Sequence, residues 1–109
     1  MGSRQKLITS EIEKKLPPLY AGDGKDPATV PVICKLFDPQ GAGTWYITEG
    51  NLAEGILYGL CVIHCPEMGY VSLDELTGFR GRFGLGIERD TGYQDRTLAD
   101  AMKYEGYNF

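Results

Sequence analysis

Between residues 30 and 73 the apolar positions cluster in four β-like segments separated by Gly and Pro, "VPVICKLFD", "TWYITEG", "GILYGLCVIHC" and "MGYVSL". They are rich in Val, Ile, Tyr, Phe and Trp, the side chains that suit a pleated surface. The linkers "PQGAG", "NLAE" and "PE" are short and rich in turn residues, as hairpins require. The pattern predicts four antiparallel strands joined as a meander. The third segment is apolar on both alternations, with Tyr58, Leu60 and Val62 against Leu57, Cys61 and Ile63. Such a strand is covered on both faces, so it belongs at or next to the centre of the sheet.

Around this block the period lengthens. "LITSEIEKKLPPLY" predicts a short helix that Ser10 caps, with Glu13 three residues on, and that Pro17 and Pro18 stop; Ile8, Ile12 and Leu16 then share one face. "SLDEL" repeats the capping logic, with Ser72 at the cap and Glu75 reaching back, and Gly78 ends that helix. "DRTLADAMKYEGYNF" predicts a last helix capped by Thr97, with Leu98, Ala101 and Met102 inward and Gly106 as terminator. Residues 21–29 read as a loop and the most mobile segment, and residues 1–6 as flexible. The expectation is one α+β domain over residues 1–109: a small four-stranded antiparallel meander flanked by short helices at the N-terminus, after strand four and at the C-terminus.

Composition narrows the function. A chain of 109 residues with 42% hydrophobic and 24% charged residues has globular proportions. A net charge of −4 disfavours direct attraction to a phosphate backbone, so nucleic acid is an unlikely direct partner. No run approaches the roughly 20 apolar residues of a membrane span, and the N-terminus has no secretory apolar core, which points to the cytoplasm. Three cysteines are an odd number and form no closed disulfide framework.

Candidate chemistry lies in three places. Cys61, His64 and Cys65, with Cys34 on the first strand, suggest zinc, but on an extended strand Cys61 and Cys65 stand about 13 Å apart and His64 faces the other way. Buried thiols are therefore expected, with no metal and no cofactor. "GFRGRFGLG" has neither the strand-to-helix setting nor the Lys-Ser/Thr of a phosphate loop; its Arg80 and Arg82, interleaved with Phe79 and Phe83, suit an anion or stacked bases instead. In "GLGIERD", Ile87 and Arg89 face one way and Glu88 and Asp90 the other, about 6 to 7 Å apart, so the pair suits either recognition or, with Glu49, divalent-metal hydrolysis.

"KKLPPLY", "KLFDPQGAGTWYITE", "YGLCVIHCPEMGYVSLDEL" and "GLGIERD" stand in the order and spacing of the bacterial domain-of-unknown-function family 2958, which the chain resembles from about Leu7 to Asp90. The resemblance implies an accessory protein of plasmids, integrative elements or phages, with no established activity. Its motifs fall on Trp45, Tyr46 and Glu49, on Gly69, Tyr70, Ser72 and Leu73, and on Glu88, Arg89 and Asp90. Cys65 stands where the family commonly has an acidic residue.

Three readings follow. The first is a non-enzymatic binding module for a protein partner, such as a nucleic-acid-handling protein, contacted through Trp45, Tyr46, Glu49 and residues 88–90. The second is a metal-dependent hydrolase using Glu49, Glu88 and Asp90. The third is a single-strand nucleic-acid binder using Arg80 and Arg82.

Overall fold

The four β-like segments become strands β1 (Cys34–Phe37), β2 (Thr44–Asn51), β3 (Ile56–Val62) and β4 (Pro66–Ser72) of a computed structural model that describes residues 6–107. They pair antiparallel in sequence order, as the hairpin linkers require. The sheet nevertheless has five strands. A two-residue strand β5 (Glu88–Arg89) lies antiparallel beside β1, so the order is β4, β3, β2, β1, β5. Two residues carry no period, and only the tertiary position of β1 makes them a strand. The expected flexibility of residues 1–6 falls, apart from Lys6, outside the described residues.

Three short helices complete the fold: α1 (Ser10–Lys15), α2 (Leu73–Gly78) and α3 (Leu98–Glu105). Thr9, not Ser10, caps α1, its hydroxyl accepting from the Ile12 N–H at 3.2 Å; Ser10 is the first helical residue. At α2 the Ser72 hydroxyl accepts from the Glu75 N–H, and Gly78 forms the last turn with Phe79 as the cap. At α3 both arms of the capping box form between Thr97 and Asp100. Hydrogen bonds from Thr97 hold the Asp100 carboxyl below its usual range. Gly106 ends α3 at φ 74°, a left-handed position that glycine occupies without a Cβ penalty.

Both sheet faces are covered. On the first, Leu36, Trp45, Ile47, Leu57 and Cys61 pack with Ile8, Leu76 and Ile87, and Ile12 and Leu16 of the α1 segment close over them. On the second, Tyr46 and Leu60 pack with Val30, Val32, Leu98, Ala101 and Met102 of α3 and its surroundings. Both alternations of β3 are thus buried, and β3 lies next to the central β2. Ile63 is the exception: it follows the end of β3 and is 53% exposed.

Candidate functional site

The register of β2 explains the first motif. Thr44 to Ile47 pair with Val62 to Gly59, but the next partner of Tyr58 is Glu49, so Thr48 is a bulge. One extra residue inverts the side-chain alternation beyond it. Without the bulge Glu49 would point into the apolar face beneath α1; with it, Glu49 shares the second face with Tyr58. The strands approach closely here, since a Cβ on Gly59 would lie 1.9 Å from the Tyr46 carbonyl oxygen.

Glu49 is 4% exposed, and its two carboxylate oxygens accept from the backbone N–H groups of Tyr20 and Gly22, both at 2.7 Å. Charge-assisted bonds of this kind are the strong ones. They hold Tyr20 at φ 74°, a strained backbone region for a residue with a side chain. The segment expected to be most mobile is therefore tethered at its start, and Asp26 caps a 3₁₀ turn at Pro27–Thr29 near its end. The space beside Glu49 has a volume of about 70 Å³, enough for a water or two and too small for a substrate.

Trp45 and Tyr46 lie on opposite faces, at 8% and 1% exposure. They are core residues, which corrects the expectation that they anchor a recognition surface. The Tyr46 hydroxyl donates to Glu105 Oε2 at 2.6 Å, and its ring stands 5.6 Å from that of Tyr93. Burial, then the Glu105 hydrogen bond, pushes the Tyr46 phenol far above its usual range. Above this pair the Lys35 ammonium lies 5.4, 5.3 and 6.0 Å from the rings of Tyr46, Tyr93 and Tyr104, and 3.8 Å from Asp90 Oδ2. Cation–π contacts and a half-exposed ion pair knit β1 to the C-terminal segment. Sequence reasoning missed Lys35, whose signal is its position opposite Tyr46.

Residues 88–90 divide by face as the alternation implies. Ile87 is buried in the first face, and Arg89 Nη1 on the same side donates to the carbonyls of Lys6 and, at 3.1 Å, Leu7. Arg89 is thus a clamp on the N-terminal segment. Asp90 donates its N–H to the Lys35 carbonyl at 2.9 Å and turns its carboxylate to the Lys35 ammonium. Glu49 does not join this group. Asp90 stands opposite Lys35, two strand spacings and about three residues from Glu49, on the order of 14 Å at the backbone.

Arg80 and Arg82 belong to a loop over residues 79–87 that crosses from α2 to β5. The loop is closed by bonds from Gly81 N–H to the Leu85 carbonyl at 2.7 Å and from Gly84 N–H to the Gly81 carbonyl at 3.0 Å. Gln40 of the β1–β2 turn braces it from outside, its side-chain oxygen accepting from Phe83 and Leu85 N–H. Arg80 folds back onto the carbonyls of Thr77 and Phe79, while Arg82 is exposed. Phe79, Phe83 and Leu85 are 41%, 78% and 48% exposed.

Cys34 and Cys61 are buried in the first face, and burial pushes their thiols up to about 12 and about 11. Cys65 is exposed in the turn after β3, beside His64, so the strand ends before the spacing of Cys61 and Cys65 applies. Among the described residues no three His, Cys, Asp or Glu side chains gather as a metal site would need, and no helix is long and apolar enough to cross a membrane.

No curated protein and no solved structure matches the chain. A family model, that of the protein of unknown function (DUF2958), matches residues 4–103, which carries the likeness past Asp90 through most of α3. The chain belongs to the DUF2958 family.

Proposed function

We propose that the protein is a non-enzymatic protein-binding module whose contact surface is the loop at residues 79–85. Phe79, Phe83 and Leu85 enter an apolar cleft on the partner, and Arg82 meets carboxylates at its rim. One observation carries this reading: three large apolar side chains are held in solvent by a loop whose backbone is closed on itself and braced by Gln40. Large apolar groups exposed on one short loop are a common mark of a contact surface, and a preorganised loop loses little freedom on binding. The accessory role in mobile DNA implied by the resemblance makes a protein encoded by the same element the natural partner. The acidic balance of −4 suits a partner that is basic elsewhere, as nucleic-acid-handling proteins are.

The test is recovery of partners from the native host with wild type and with a Phe83→Ser, Leu85→Ser double variant. The double variant is expected to lose about tenfold or more of the recovered partner. Equal recovery removes the loop from the reading. Phe79 and Phe83 interleaved with arginines also favour a second reading, stacking of single-stranded bases. That reading requires oligonucleotide binding that weakens steeply with salt.

A further inference from the structure

The outer rim of β4 carries an inference independent of the 79–85 loop. β4 is the terminal strand of the sheet, and no other strand of the described residues pairs with it beyond β3. The Leu73 N–H donates to the Gly55 carbonyl at 2.8 Å, which fixes the phase of the ladder. Glu67, Gly69 and Val71 therefore bond to β3, while Met68 and Tyr70 turn both N–H and C=O groups outward; Ser72 offers its N–H there, its C=O opening α2. The usual protections of an edge are sparse. β4 runs seven residues in unbroken register, with one charge, Glu67, and a proline only at its first position. Tyr70 on this strand is 54% exposed, and Tyr20 is 63% exposed.

We propose that β4 pairs antiparallel with β4 of a second copy of this chain, across a two-fold axis at Gly69, so that two sheets become one. About that point no charged residue of β4 meets its own copy and every pair but the last keeps its backbone N–H. This is the two-fold register in which all seven residues pair. Met68 then faces Tyr70 of the second copy, a thioether against an aromatic ring. Glu67 faces Val71, and the two Glu67 carboxylates stay about 13 Å apart, beyond the screening length at physiological salt. Pro66, which has no N–H, falls at the end of the ladder opposite Ser72. At the axis the two Gly69 residues form the close, non-hydrogen-bonded pair, where side chains would approach most nearly and none is present.

Gly69 supplies the test, because a Cβ there meets nothing nearer than Cys61 Sγ at 4.0 Å, so the monomer accepts a side chain. Gly69→Asp and Gly69→Lys each set like charges against each other at the axis. Sedimentation of the full chain over a wide concentration range is expected to give a dimer for wild type and for Gly69→Ala. Each charged variant is expected to dissociate at about tenfold or more higher concentration, and an equal mixture of the two to reassociate. Amide exchange at Met68 and Tyr70 gives a second reading: in wild type their protection rises with protein concentration, while the amides of Gly69 and Val71 do not change. A wild type that sediments as a monomer throughout overturns the proposal, as does a dimer that survives both charged variants. Met68 and Tyr70 amides that stay unprotected in a wild-type dimer overturn it equally.

Discussion

The two rims of the sheet are built in opposite ways. β1 holds Leu36 at 0% and Cys34 at 4% exposure, and its outer side is covered at both ends, with a cavity of about 810 Å³ between Ile33, Cys34 and the segment from Asp90 to Arg96. β5 covers one end, Asp90 continues the ladder, and Val32 bonds to Arg96 while Pro31 bridges Thr97 at the other end. β4 contributes no fully buried residue, and among the described residues no strand pairs with its outer side. Both strands come from the same β-like block of sequence. What separates them is the chain after residue 87, which crosses to one rim and leaves the other open. Burial of a strand is thus decided by where a distant segment returns, and the strand's own pattern does not record it.

The contrast is sharpest in the core. Leu36→Ala is expected to cost about 3 to 4 kcal/mol, the price of a cavity that cannot collapse, and Val71→Ala on β4 about 1 kcal/mol. Denaturant unfolding measures both, and similar costs would erase the difference between the rims.

Burial of Cys34 in the first face also makes stability fall in alkali. The Cys34 thiol rises from 9 to about 12 through burial, slightly opposed by Arg89. A raised acid pKa means that the folded state keeps its proton longer, so the stabilisation is whole below pH 9 and drains away as pH climbs towards 12. A loss of roughly 2 to 3 kcal/mol is expected over that window. Tyr46, raised chiefly by burial, acts in the same direction from pH 10 upward. Cys34→Ala should flatten the first part of the slope, which urea titrations at stepped pH would show.

Arg89→Ala removes the clamp on the Lys6 and Leu7 carbonyls and is expected to cost about 2 kcal/mol, with faster exchange at the Asp90 amide. Arg89→Lys should recover only part, because an ammonium is a poor substitute for a planar fork. A neutral result would mean that β5 needs no anchor. On the central strand, Glu49→Gln leaves one of two backbone N–H donors facing an amide nitrogen. It should cost about 1 to 2 kcal/mol and expose the Tyr20 and Gly22 amides to exchange, with little change at Val32.

The meander and the last helix could be read from the sequence because their signals are local. Runs of seven or eight residues with β-branched and aromatic side chains, set between turn residues, mark β2, β3 and β4, and a capping box with a terminal glycine marks α3. β5 left no such trace, being two residues selected by the presence of β1. The bulge at Thr48 was equally silent, since "TWYITEG" reads as an uninterrupted strand in either register. Trp45 and Tyr46 resembled interface anchors because aromatic residues serve both roles. They are buried because helices cover both faces, a fact of assembly that alternation alone does not reveal. The basic loop was visible as a composition, but its bracing by Gln40, more than forty residues earlier in the chain, was not.

The insertion at Thr48 makes β2 two half-strands of opposite handedness in their loyalties, one obeying odd positions and the other even. Deleting that single residue leaves Glu49 directly after Ile47 in regular alternation, so Glu49 stays opposite Tyr58 and Gly50, which makes room for Leu16, stays opposite Leu57. A deletion in the middle of the best-formed strand is therefore expected to be tolerated, at a residue whose own side chain makes one long hydrogen bond.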